Sequence, residues 1–270
     1  MQGILLIDKP KDITSFSAVR KIKRLSGEKR VGHTGTLDPL ATGVLPIFLG
    51  RATALSSFLL EADKEYIARV RLGVSTDSCD ITGKVIKTSD VNVTEEELLE
   101  AVNSFKGESF QVPPMFSALK KDGVRLYDLA RQGKEVEIEP RKITIFEIQA
   151  SDFDGTEFNI KVKCSKGTYI RSLCRDIGER LLCGATMTQL RRVSTTGFDI
   201  TQCVSLDELN EDNIKDYVLR EEKAVEFLRE IQVTEKQALR FSNGGQLSFE
   251  RLHTSFQEDN EFFRVKFKDV

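Results

Sequence analysis

The sequence predicts an α+β fold built on a mixed, mostly antiparallel sheet flanked by helices, and three observations point to it. The segments Tyr66-Ile67-Ala68-Arg69-Val70-Arg71-Leu72, 143–148 and 158–162 alternate apolar and polar residues with period two, as half-buried strands do. The last two are joined across the turn-forming pair Asp154-Gly155, which makes them hairpin neighbours. Strands and helices otherwise follow one another irregularly, unlike the strict alternation of a doubly wound parallel sheet.

Taken in order, Gly3 to Asp8 reads as a short buried strand. Thr14 or Ser15 caps a helix reaching about Leu25, with Phe16, Val19, Ile22 and Leu25 on one face. Residues 31–43 form a loop punctuated by Gly, Thr and Pro, and Val44 to Leu49 is an apolar run of strand length. Ala54 to Ala62 has helical character. Thr94-Glu95-Glu96-Glu97 fits a capping box, followed by the stripe Leu98, Leu99, Val102 and Phe105. Residues 107–135 read as an irregular basic insertion with one short helical stretch, the kind of segment that more often carries function than architecture. Thr168 to Leu182 reads as a helix with Ile170, Leu173, Cys174, Ile177 and Leu181 inward, and 185–200 returns to extended chain. Beyond Ile231 lie the turn signal Asn243-Gly244 and the alternating strand Phe262-Phe263-Arg264-Val265-Lys266-Phe267. The domain reading is therefore 1–230 for a main domain and 231–270 for a segment near the lower size limit of an independent core.

The chain has 270 residues, 40% hydrophobic and 30% charged, which suffices for a sizeable core and excludes wholesale disorder. No run approaches the ~18 apolar residues of a membrane span. The N-terminus has no basic start, and Asp8 and Lys9 break its apolar run, so no secretory signal is read there. Five cysteines form no CxxC pair, which fits a reducing cytoplasm. Two histidines, His33 and His253, cannot build a transition-metal site alone.

A net charge of −2 argues against a nucleic-acid partner, but its distribution argues for one. Residues 1–51 carry nine basic against four acidic residues, and 161–192 carry eight against two. Residues 205–230 reverse the balance, with nine acids against four bases, and should face away from any phosphate backbone.

The segment with most chemical content is Gly32-His33-Thr34-Gly35-Thr36-Leu37-Asp38-Pro39-Leu40-Ala41-Thr42-Gly43. Its glycines, threonines and proline make a rigid turn-rich loop holding one acid, Asp38. It is neither a Walker A loop nor GxGxxG, and it lacks the second carboxylate of a glycosidase. As a bare pattern it equally fits a structural Ω-loop.

The same segment resembles the signature of the TruB family of bacterial tRNA pseudouridine-55 synthases, and further stretches agree in order: Gly3-Ile4-Leu5-Leu6-Ile7-Asp8-Lys9-Pro10, Asp63-Lys64-Glu65-Tyr66, Leu72-Gly73-Val74-Ser75-Thr76-Asp77-Ser78-Cys79-Asp80-Ile81-Thr82-Gly83, Pro113-Pro114-Met115-Phe116-Ser117-Ala118-Leu119-Lys120, Ser165-Lys166-Gly167-Thr168-Tyr169-Ile170-Arg171-Ser172-Leu173 and Leu190-Arg191-Arg192. Together they span about residues 3–200. The resemblance implies the pseudouridine synthase fold, an RNA-gripping insertion at about 107–135, and a C-terminal β-rich PUA-like tail that is shortened here. It implies isomerisation of uridine to pseudouridine at position 55 in the T loop of tRNA, with the nucleotide flipped out and no metal or organic cofactor.

The resemblance also assigns roles. Asp38 is the essential aspartate, acting either as a covalent nucleophile or by assisting departure of the base. Arg171 pairs with it and keeps it ionised. Tyr66 stacks on the uracil and moves a proton late in the reaction. His33 acts on the RNA side, and Leu190 forms an apolar floor under the base. Lys9 and Lys64 either touch phosphate or support the site, and Tyr169 packs it. Asp77 and Asp80 are read as shaping a turn. The expected partner is the tRNA T stem-loop, and nothing in the sequence demands more than a monomer. Two rival readings share the scaffold: a synthase acting on another RNA, and a tRNA-folding chaperone, for which Asp38, Tyr66 and Arg171 would be superfluous.

Overall fold

The computed structural model describes residues 1–56, 59, 62–134, 136–248, 251–252 and 262–268. The chain forms two compact units, Met1–Val218 and Leu219–Val270, which divide ahead of the 230/231 boundary read from the sequence.

The first unit runs β1 (Gly3–Lys9), α1 (Ser15–Ser26), β2 (Val31–His33), β3 (Thr42–Leu49), β4 (Lys64–Leu72), β5 (Val74–Thr76), β6 (Val85–Thr88), α2 (Glu95–Asn103), β7 (Gly107–Gln111), β8 (Lys120–Lys121), β9 (Val124–Arg125), α3 (Leu126–Arg131), β10 (Arg141–Ser151), β11 (Glu157–Cys164), α4 (Ile170–Arg180), β12 (Ala185–Thr195), β13 (Phe198–Asp199) and β14 (Val204–Ser205). Its large sheet has the order β14-β1-β3-β12-β4-β11-β10-β7. Only the β14/β1 and β12/β3 pairs on that path are parallel, so the sheet is mixed and mostly antiparallel, as the alternation patterns required. Helix α4 lies against β12 and β4, α2 against β10, and α1 against β2. In β11, Phe158, Ile160, Val162 and Cys164 are buried while the residues between them face outward. In β10 a bulge between Ile145 and Glu147 restores the alternation, so that Ile143, Ile145 and Ile148 all point inward. These side chains join Ile170, Leu173, Cys174 and Ile177 of α4 in one core, each fully buried apolar side chain stabilising the fold by about 1.5–3 kcal/mol.

Local signals explain most element ends. Thr14 caps α1 by accepting from Ser17 N, and Gly27 ends it in the left-handed region. The capping box at Thr94 and Glu97 starts α2. Of the α1 face read from the sequence, Val19 and Ile22 are buried and Leu25 packs against the core, but Phe16 is 66% exposed, and Ser15 and Ala18 are buried in its place. The inward turn of Ser15 serves a polar contact described below. Gly50–Leu55 forms a 3-10 turn; of the helix expected over 54–62, residues 57, 58, 60 and 61 lie outside the described set.

The decisive feature of the sheet is a fork. One edge of β3 pairs along its length with β1. The other edge is shared: β12 pairs with Thr42 and Gly43, and β2 pairs with Ile47 to Leu49. Between these two partners lies Val44–Pro46. Pro46, which has no N–H to offer, is tolerated within a central strand here because no ladder partner needs one; its carbonyl accepts from Thr34 N at 3.3 Å. The chain that bridges the fork is the loop 34–41.

The second unit carries β15 (Arg229–Gln232), α5 (Glu235–Ser242) and β16 (Phe263–Lys266), with β15 and β16 parallel. The strand expected near the C-terminus is present. Asn243-Gly244 ends α5, with Gly244 at φ 79°, where the sequence suggested a strand turn. No helix of the described residues is long and apolar enough to cross a membrane.

Candidate active site

Asp38 stands in the loop between β2 and β3, and backbone and side-chain contacts hold that loop. Ser15 Oγ accepts from Leu37 N at 2.9 Å and donates to Leu37 O at 3.1 Å. Asp12 N donates to Pro39 O at 2.8 Å, and Ala41 N closes a turn on Asp38 O at 3.1 Å. Lys9 Nζ donates to Pro10 O at 2.7 Å, Ile13 O at 2.8 Å and Pro39 O at 3.4 Å. Lys9 is fully buried. Burial lowers its pKa to about 8 against the opposing pull of Asp38 and Asp12. Of the two roles read for Lys9, phosphate contact and support of the site, this geometry answers only to support.

Arg171 is brought to Asp38 by α4. Gln111, at the end of β7, holds the helix entrance: its Oε1 accepts from Tyr169 N at 2.8 Å and its Nε2 donates to Tyr169 O at 3.2 Å. Two residues on, Arg171 Nε lies 2.9 Å from Asp38 Oδ2, and Nη2 donates to Asp38 Oδ1 at 3.2 Å. This two-pronged contact fixes the carboxylate plane. The remaining donors are occupied by Ser78 O at 3.3 Å and Phe116 O at 2.9 Å. A second carboxylate stands behind the guanidinium: Asp80 Oδ2 is 3.7 Å from Nη1. Asp80 is buried, and its Oδ1 accepts from Ser78 Oγ at 3.0 Å and Thr82 N at 3.0 Å. It therefore shapes the turn, as the sequence reading held, and also takes part in the charge network, which that reading missed.

The side chain of Arg171 is 5% exposed and that of Asp38 38% exposed, so the carboxylate opens outward from a withdrawn cation. Burial pushes the Asp38 carboxyl above the usual aspartate range; Arg171 and Lys9 pull it down and Asp80 pushes it further up. Tyr66, on β4, is buried at its core face and close enough to feel the charge of Asp38. Burial raises its phenol above the ordinary value, and Arg192 opposes the rise. Leu190 of β12 is buried opposite Ala68, one inward position from Tyr66. His33 closes β2 at the root of the loop; burial and the charge of Arg192 lower its pKa, so the ring is neutral at pH 7. Burial raises the Tyr169 phenol, and its backbone carries the Gln111 contact. Lys64 Nζ donates to Ala62 O at the start of β4. Asp38, Arg171, Lys9 and Tyr66 are thus neighbours, His33 and Leu190 flank them, and Lys64 sits at the edge.

Sequence reasoning missed Ser15, Gln111, Asp80 and Arg192. Only Arg192 left a signal. Alternation along β12 puts it on the inner face with Leu190 and sends Arg191 outward, where it pairs with Asp8 at 2.7 Å. Among the described residues no group of three or more His, Cys, Asp or Glu could hold a metal ion.

Comparison with known proteins gives the family. Residues 23–170 match the family model described as TruB family pseudouridylate synthase, N-terminal domain. Residues 171–232 match that of the tRNA pseudouridylate synthase B C-terminal domain. The chain is 48% identical to a tRNA pseudouridine synthase B of Clostridium acetobutylicum over 265 residues, 98% of this chain and 91% of that protein. It is 49% identical to the protein of that name from Vibrio cholerae over 225 residues, 83% of this chain and 72% of the other. Among solved structures, a chain of a Cbf5-Nop10-Gar1 complex superposes with a TM-score of 0.72 at 29% identity, covering 91% of this chain and 68% of that one. With these matches across both halves of the chain, an aspartate clamped by a buried arginine on a forked sheet has its place: the protein belongs to the TruB family of pseudouridylate synthases.

Proposed function

We propose that this protein isomerises uridine to pseudouridine at position 55 in the T loop of tRNA. The observation that carries the reading is the Asp38–Arg171 contact: a carboxylate held at 2.9 and 3.2 Å by one guanidinium yet open on its outer side. The relatives named tRNA pseudouridine synthase B support the substrate class. The reaction breaks the bond from the ribose anomeric carbon to N1 of uracil and forms one from the same carbon to C5, and the C5 proton is lost. Asp38 acts at the anomeric carbon, either by forming an ester to it or by stabilising the cationic sugar while the base turns. Arg171 keeps the carboxylate anionic and aimed, although the site disfavours its charge. Tyr66 packs against the base and serves the proton at C5, while Leu190 supports the ring and His33 holds the flipped-out conformation on the RNA side. Tyr169 packs the site, and Lys9 and Lys64 support it.

The insertion grips the RNA. Its β8–β9 hairpin and α3 display Lys120, Lys121, Arg125 and Arg131, with Arg125 and Arg131 both over the Tyr127 ring at 5.7 and 5.5 Å. All the residues assigned to the site fall within Met1–Val218, which supports action as a monomer. The segment 231–270 is read as a PUA-like element, and its strand β16 pairs in parallel with β15. Five free cysteines suit the cytoplasm.

The test is tritium release from 5-tritiated uridine in a synthetic T stem-loop. Wild type should release one tritium per uridine converted, and Asp38→Asn should bind the RNA without release. No release by wild type from this RNA, with release from another, would move the activity to a different substrate.

A further inference from the structure

Arg192 is the bulkiest side chain fully withdrawn from solvent among the described residues, and no carboxylate there lies within ion-pair distance of it. An uncompensated buried guanidinium costs several kcal/mol, so its surroundings should contain a group that answers the charge. Its backbone lies in β12 between Gly43 of β3 and Tyr66 of β4, paired directly with each. Its side chain fills the fork: Nε donates to Val44 O at 2.8 Å, and Nη1 lies 2.8 Å from where a Cβ on Gly35 would be. Nη2 is buried and makes no well-formed hydrogen bond. The titratable groups facing the guanidinium are Lys9 from β1, His33 from β2, Tyr66 from β4 and Cys203 beyond β13. Lys9 has the same sign, and neither His33 nor Cys203 is a cross-strand partner of Arg192. Tyr66 remains, and as a direct cross-strand partner it presents its side chain on the same face of the sheet.

We propose that Arg192 is the positioning residue of Tyr66: its guanidinium, wedged in the fork between the Asp38 loop and β4, orients the phenolic oxygen and supplies the counter-charge when that oxygen exchanges a proton. The inference rests on the proton role proposed for Tyr66. In balanced form, the phenol releases its proton to solvent and the phenolate is stabilised by Arg192. Once the anomeric carbon is bonded to C5, that oxygen takes the C5 proton, the C–H electron pair re-forms the C5–C6 double bond, the C6–N1 pair moves onto N1, and N1 takes from solvent a proton matching the one the phenol released. The same guanidinium underlies Gly35, so a single buried cation ties together the loop that carries Asp38 and the strand that carries Tyr66.

The test begins with the free full-length protein labelled with 13Cζ-tyrosine. Among the four tyrosines of the chain, the Tyr66 resonance is the one lost in Tyr66→Phe. In Arg192→Gln it should titrate at higher pH than in wild type, and in Arg192→Lys at an intermediate pH. Single-turnover pseudouridine formation should fall at least about tenfold in Arg192→Gln while RNA affinity stays within about twofold, and Arg192→Lys should recover part of the rate. An unchanged Tyr66 titration in Arg192→Gln overturns the proposal. So does a parallel loss of rate and affinity without recovery by lysine, which marks a purely structural residue. If Arg192→Gln does not fold, Arg192→Lys carries both readouts against wild type. Because the resonance is read without RNA, failure of wild type to convert the RNA would count against the assigned reaction and leave the Arg192–Tyr66 result standing.

Discussion

Ser15 and Leu37 clasp each other at the entry to the catalytic loop, one hydroxyl bonding both the amide and the carbonyl of the residue before Asp38. The clasp explains why the first residue of α1 is buried while Phe16 is not. Ser15→Ala leaves two buried backbone groups unpaired, which should cost about 2 kcal/mol in urea unfolding. The loosened loop should lower single-turnover rate on the order of tenfold with RNA affinity unchanged. Full activity in a destabilised variant would show that Asp38 is placed without the clasp.

Arg171→Lys keeps the charge beside Asp38 but cannot reproduce contacts at 2.9 and 3.2 Å together with bonds to Ser78 O and Phe116 O. The rate constant should fall by about 100-fold, with RNA binding altered little. A variant within threefold of wild type would mean that charge alone suffices.

The pH dependence follows from the direction of the Asp38 shift. A carboxyl with a raised pKa takes up a proton earlier as pH falls, so activity should be lost on the acidic side at a midpoint above the ordinary aspartate value of 3.8. Asp80 contributes to that rise. Asp80→Asn, which keeps one side-chain oxygen to accept the hydrogen bonds of the turn, should therefore move the acidic limb of the rate profile to lower pH. An acidic limb that stays in place in Asp80→Asn removes Asp80 from the charge network.

Gly43 and Gly27 separate crowding from backbone strain. A Cβ at Gly43, φ 105°, would lie 2.1 Å from Arg192 O, where β3 and β12 meet. At Gly27, φ 65°, it would meet nothing within 4 Å. Gly27→Ala should cost about 1 kcal/mol of stability, and Gly43→Ala at least twice that, with loss of activity as the fork is pushed apart. Equal costs in chemical denaturation would contradict the close approach.

The strands β1, β3, β4, β10, β11, β12 and β16 and most helices were legible because their causes are local, whereas β2 was read as loop and β7 as part of the irregular insertion. Alternation along β4 and β11, the capping box at Thr94 and the glycine after α1 are each read within a few residues. Asp38, Tyr66 and Arg171 were legible as parts of long ordered motifs, and the fold brings all three into one neighbourhood. What could not be read were residues whose importance depends on a partner far along the chain. Ser15 meets Leu37 across 22 positions, Gln111 meets Tyr169 across 58, and Arg192 meets Val44 across 148.

The amino-acid order by itself determined which face of β4 and β11 turns inward, where α1 and α2 begin, and that one aspartate sits in a turn-rich loop. Only the tertiary structure decided that β3 shares one edge between β2 and β12, and that the resulting gap is closed by a buried arginine under the loop. The reason is physical: periodicity and capping act over one or two turns of chain, whereas burial of a charge and the hydrogen bonds that satisfy it depend on strands that meet only when the sheet assembles.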